Sequence, residues 1–86
     1  MRDRTDIEDF NQRRLQFLLK CHELSGGNES VPLDMDKVGK ELGFDPELNT
    51  AVTDCLLQED LTKLLGIGSG ISITARGIAQ VERALS

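Results

Sequence analysis

The chain contains no tryptophan and no tyrosine, one histidine, two cysteines and two prolines. Without the large amphipathic aromatics, Phe10, Phe17 and Phe44 are its only rings, and aliphatic residues must fill the interior. Cys21 and Cys55 stand far apart with no partner motif. Each falls on an apolar helical stripe, which fits reduced core thiols in a cytoplasmic protein better than a disulfide framework. Two cysteines and one histidine at these spacings match no common metal site. His22 follows Cys21 directly, so in a helix the two point to different faces and form no catalytic dyad. No apolar run approaches the ~20 residues of a membrane span. The segment Met1-Arg2-Asp3-Arg4 is charged and lacks the apolar core of a signal peptide, which argues against export. Basic residues are also scarce. Ten against fifteen acidic ones give a net charge of -5, which argues against a non-specific polyanion binder but leaves room for a local basic patch.

At 86 residues the chain has the length of one domain, 1–86. Such a chain buries only about 60–65% of its unfolded surface, so each apolar stripe counts. Thr5-Asp6-Ile7-Glu8 fits a capping box and opens a first helix over 5–24. Ile7, Phe10, Phe17, Leu18, Cys21 and Leu24 form its stripe, interrupted by Arg14. Leu15, Leu19 and His22 widen that stripe beyond one core face. Either the C-terminal helix wraps the excess or a second copy does. Phe10, Leu15, Leu19 and Leu85 are the candidate dimer residues.

Ser25-Gly26-Gly27-Asn28 ends this helix. Val31-Pro32-Leu33 suits a single edge strand, where proline's missing N–H does little harm. Asp34 caps a second helix over 34–42, with Met35, Val38 and Leu42 inward and Gly43 as its stop. Asp45-Pro46 begins a third helix, 46–58, with aspartate as N-cap and proline in the first turn. Leu48, Val52, Cys55 and Leu56 form its buried face. Two aliphatic runs around Gly68-Ser69-Gly70 then give a hairpin over 61–74. Thr74 caps a last helix over 75–85, in which Ile78, Val81 and Leu85 recur at helical spacing. Leu64, Leu65, Ile67, Ile71 and Ile73 cannot all share one face of the hairpin, because strand side chains alternate. Some of that aliphatic surface is expected to stay exposed.

The expected fold is mainly α with a small β-hairpin, and Leu42-Gly43-Phe44-Asp45-Pro46 is a tight turn joining two short helices. In order and spacing, the runs Leu33-Asp34-Met35-Asp36-Lys37-Val38-Gly39-Lys40-Glu41-Leu42-Gly43, Leu56-Leu57-Gln58-Glu59-Asp60-Leu61 and Ile73-Thr74-Ala75-Arg76-Gly77-Ile78 resemble the winged helix-turn-helix superfamily, particularly its small prokaryotic DNA-binding domains. The likeness covers residues 15 to 85. Asp60 stands where the family commonly has glycine, and aspartate tolerates left-handed backbone. Ala75 replaces a frequent proline, which is conformationally harmless.

By that resemblance the third helix would lie in the DNA major groove. Its outward positions would be Glu47, Asn49, Thr50, Thr53, Asp54 and Gln58. Asn49 could read adenine, and Thr50 or Thr53 could touch a phosphate or a thymine methyl. Lys63 and Arg76 from the hairpin side, with Lys37 or Lys40 from the second helix, could clamp the backbone, and the tip would offer the Ser69 hydroxyl. Yet from Asp45 to Asp60 there is no Lys or Arg and there are five carboxylates. Two functions therefore stand side by side. One is a winged-helix regulator binding double-stranded DNA, probed through Asn49, Thr50, Thr53, Lys37, Lys40, Lys63, Ser69 and Arg76. The other is an acidic module for a protein partner or homodimer, its third helix or its aliphatic hairpin doing the docking. A module cut from a longer protein is a further expectation. Gly66-Ile67-Gly68-Ser69-Gly70 lacks the lysine and the strand-to-helix setting of a phosphate loop. No catalytic constellation, cofactor motif or small-molecule site is evident, and no enzyme is expected.

Overall fold

Local capping accounts for most of the element boundaries. The structure, a computed structural model, describes the backbone of residues 4–66 and 68–86 and the side chains of residues 7–66 and 68–86. Its elements are α1 (Arg4–Ser25), β1 (Leu33–Asp34), α2 (Met35–Glu41), α3 (Pro46–Gln58), β2 (Thr62–Leu64), β3 (Gly70–Ile73) and α4 (Ala75–Leu85). The chain is thus mainly helical, with one three-stranded antiparallel sheet in the order β1-β3-β2. No helix among the described residues is long and apolar enough to cross a membrane.

Each of the last three helices starts where an oxygen-bearing side chain can take an orphan amide. Asp34 accepts from the amides of Asp36 and Lys37, Asp45 from that of Leu48, and Thr74 from that of Gly77. The Thr5 capping box differs. The helix already includes Arg4 and Thr5, and the Thr5 side chain lies outside the described residues. Three helices end in the same device, paired bonds closed by a left-handed residue. After α1 it is Gly26 (φ 65°), with Gly26 N donating to Glu23 O and Gly27 N to His22 O. After α2, Gly43 (φ 76°) takes that role, with Gly43 N donating to Lys40 O and Phe44 N to Gly39 O. After α3 it is Asp60 (φ 61°), with Asp60 N donating to Leu57 O and Leu61 N to Leu56 O.

Pro32 cannot donate to a ladder, so β1 begins one residue after it and runs to Asp34, later than the expected Val31–Leu33. The register pairs Leu33 with Ile71 and Thr62 with Ile73, which sets Ile71 and Ile73 on the core side of the central strand. Around them close Phe17, Leu18 and Cys21 of α1, Val38 of α2, Phe44, Val52 and Leu56 of the α2–α3 unit, Leu61, and Val81 of α4. Phe17 and Phe44 stack at 6.5 Å between ring centroids.

Two expected core residues fall outside. Helix α1 is 22 residues, about 33 Å long, and overhangs so small a core at both ends. Ile7 and Leu24 are therefore exposed rather than inward. Cys55 is only half-buried, with its Sγ 3.7 Å from Glu59 Oε2. Burial raises the thiol pKa of both cysteines above the ordinary range, that of fully enclosed Cys21 to about 12, so neither is a ready nucleophile.

The base of the hairpin is tied tightly to α4. Thr74 Oγ1 donates to Asp60 O at 2.6 Å and Thr74 N donates to Leu61 O at 3.1 Å. Gly77 follows in the first turn of α4. A Cβ there would sit on the Leu61 carbonyl oxygen, so only glycine lets the helix approach this closely.

Candidate recognition surface

Helix α3 carries the residues most open to a functional reading, and its two sides are built differently. The inner side is set by Val52 and Leu56, both fully buried. Asn49 and Thr53, expected to face outward, belong to that same side. Asn49 is 9% exposed and its Nδ2 donates to Met35 O, the first carbonyl of α2, at 3.2 Å. Its Oδ1 fills the space in which any residue other than glycine at position 39 would place its Cβ. That oxygen is buried without a hydrogen-bond partner. Thr53 is 6% exposed and turns its hydroxyl back to Asn49 O at 2.9 Å and Thr50 O at 3.1 Å. Thr53 is thus buried with its hydroxyl spent on the backbone of α3 itself, and Asn49 is a packing residue of the α2–α3 seam. The physical reason is Gly39, whose missing side chain leaves a hole that a polar residue of α3 fills.

The outer side of α3 is left with Glu47, Thr50, Ala51, Asp54 and Gln58, all exposed. Of the residues expected to read bases, Thr50 alone remains there, between two carboxylates. Glu59, at the end of the helix, is ion-paired with Arg14 of α1. Arg14 is therefore a link between the two helices and not a free surface cation. Among the other basic residues of α1, Arg13 pairs with Asp9 at 3.5 Å, and Lys20 lies 3.8 Å from both Glu23 and Glu41.

The hairpin tip is also committed. Ser69 Oγ donates to Asp34 Oδ1 at 2.9 Å, and Ser69 O accepts from Met35 N at 2.9 Å. The Ser69 bond, helped by the Asp36 and Lys37 amides and the Lys37 charge, holds the Asp34 carboxyl below its ordinary range. The structure thus gathers Ser69 and the Lys37 amide around Asp34, and folds the tip onto the start of α2. Ile67 lies outside the described residues. Leu64 and Leu65 are exposed, so aliphatic surface does remain on the hairpin.

Lys37, Lys40, Lys63 and Arg76 are exposed, and none forms an ion pair among the described residues. Lys40 shares a cleft of about 290 Å³ between α2 and α3 with Asp36, Phe44, Pro46 and Asn49. Lys63 sits opposite Ser72 on the sheet, and Arg76 lies in the first turn of α4 beside the hairpin base.

The four candidate dimer residues divide. Phe10 and Leu19 pack partly against the core, whereas Leu15 and Leu85 are exposed, Leu85 at 67%. Leu15 borders a cleft of about 330 Å³ between α1, α3 and α4, whose walls also include Leu18, Leu56, Leu61 and Ala84, with Asn11, Arg14 and Gln80 as its polar lining. Among the described residues no cluster of histidine, cysteine and carboxylate side chains is arranged to hold a metal ion. No family model, curated protein or solved structure matches the chain.

Proposed function

We propose that the chain is a winged helix-turn-helix domain that serves as a protein-recognition module. The element order, the short strand joined to the hairpin, and the Gly43 turn between α2 and α3 support the winged-helix reading. The observation that carries the functional reading is the burial of Asn49 and Thr53. With both buried, the exposed side of α3 offers Glu47 and Asp54 and no cation. Pressing that side against phosphates would set like charges together. A protein surface with basic residues has the complementary charge.

Duplex DNA is the second reading, favoured by one observation. Lys37, Lys40, Lys63 and Arg76 are solvent-facing cations with no carboxylate partner among the described residues. Lys63 and Arg76 would grip the backbone from the hairpin side, with Lys37 or Lys40 from α2, without base reading by α3. Fluorescence anisotropy of labelled mixed-sequence duplexes at low salt separates the two. The protein-recognition reading expects no saturable binding. Binding that falls steeply with salt and weakens in Arg76→Ala and Lys63→Ala would establish the DNA reading instead.

A second copy of the chain is one protein partner this surface could take. Leu15 lines the α1–α4 cleft and Leu85 is exposed at the end of α4, and burying them would remove two of the exposed leucines from water.

A further inference from the structure

The start of α3 and the N-terminal half of α1 enclose a notch of about 260 Å³, lined by Phe10, Asp45, Glu47, Leu48 and Ala51. Its floor is apolar. Phe10 and Leu48 are half-buried and packed against the core, and Ala51 is exposed between them and solvent. Its rim is anionic. Asp45 and Glu47 line it, and Glu47, Ala51 and Asp54 follow one another along α3 at helical spacing, on one stripe. None of these three carboxylates forms an ion pair among the described residues, and residues 45–60 contain no lysine or arginine. The nearby cation Arg14 is occupied by Glu59.

Resting on the protein-recognition reading, we infer that this notch receives one large aliphatic side chain from a basic amphipathic segment of a partner protein. Lysines or arginines flanking that anchor lie over Asp45, Glu47 and Asp54. The division of labour follows from magnitudes. Exposed ion pairs are screened by water and salt and contribute little each, so the charges select the partner and set its approach, while the buried aliphatic anchor supplies the affinity. A nucleic acid has the wrong charge for this rim. The exposed alanine in its lining matters for access, since a longer side chain at 51 would crowd the notch.

Isothermal titration of the full chain with an amphipathic Leu/Lys helical peptide, and with the same peptide carrying Glu at every Lys, tests the assignment. A saturable heat is expected with the Lys peptide and none with the Glu peptide. Ala51→Arg, at an exposed site outside the core, should weaken binding about tenfold or more. Ala79→Arg, the same change on an exposed position of α4, should leave it unchanged. Equal weakening by the two variants, wild-type binding by Ala51→Arg, or no heat with the Lys peptide would overturn the notch assignment. In the second case the peptide binds elsewhere, so the wider protein-recognition reading survives. That reading instead falls in the duplex experiment above. Self-association abolished by Ala51→Arg in sedimentation would assign the notch to a second copy and overturn the basic-partner proposal.

Discussion

The inner and outer sides of α3 are made from similar polar residues, yet they do opposite things. On the inner side Asn49 and Thr53 are both buried: Asn49 donates across the seam to the Met35 carbonyl of α2, and Thr53 donates back to carbonyls of α3 itself. Glu47, Thr50 and Asp54, one or two positions away along the same helix, remain open to solvent. The difference comes from the neighbour and not from the residue type. Gly39 leaves a hole opposite Asn49, whereas Glu47 is exposed. A polar side chain on a helix is therefore a candidate reader only where the adjoining element does not claim it.

The largest effect expected from disturbing this division lies in the core beneath it. Leu56 is fully buried, and Leu56→Ala should cost about 2–5 kcal/mol in chemical denaturation. Glu47→Lys, on the outer side, should stay within about 0.5 kcal/mol of wild type. Equal costs would erase the distinction between the sides.

The seam itself is tested by Gly39→Ala, whose Cβ would collide with the Asn49 amide. A loss of about 1–3 kcal/mol is expected from such overpacking. The double variant Gly39→Ala/Asn49→Ala should recover much of it, since removing the amide frees the space. Strictly additive losses in that cycle would show that the two residues do not share one site.

Smaller still is the pH response of the hairpin tip. The Asp34 carboxyl is held below its ordinary range in the folded chain by the Ser69 hydroxyl and the α2 amides. A depressed folded-state pKa means the ionised form supports the fold. That contribution is complete above the unfolded carboxylate range and is lost as pH falls through the lower, folded value. Acidification below about pH 4 should therefore lower the protection of the Met35, Asp36 and Lys37 amides, relative to their intrinsic exchange rates, before the core opens, and Ser69→Ala should reduce that pH dependence. Exchange at these amides that tracks global unfolding at every pH would contradict the local latch.

Much of this was legible along the chain where the signal is local. Asp45-Pro46 marks the start of α3 and Thr74 the start of α4, because each caps an amide three residues on, and Asp60 suits its left-handed turn because aspartate tolerates that backbone. The same logic did not reach Asn49. Its partner carbonyl lies at Met35 and its cavity at Gly39, so only the packed seam shows that it is inward. Ser69 and Asp34 are separated by 35 positions, and nothing near either one announces their bond. The ends of α1 depart from their apolar pattern for a global reason. Ile7 and Leu24 continue the apolar stripe, but a helix longer than the core has no neighbour to cover them.

Amide chemical shifts on the full chain test the outer side of α3 most directly. At low salt, addition of a short mixed-sequence DNA duplex should leave the amides of Glu47, Thr50, Ala51 and Asp54 in place, whereas the Leu/Lys peptide should move them saturably. Saturable movement of these amides by duplex, with no response to the peptide, would contradict protein recognition by this face of α3.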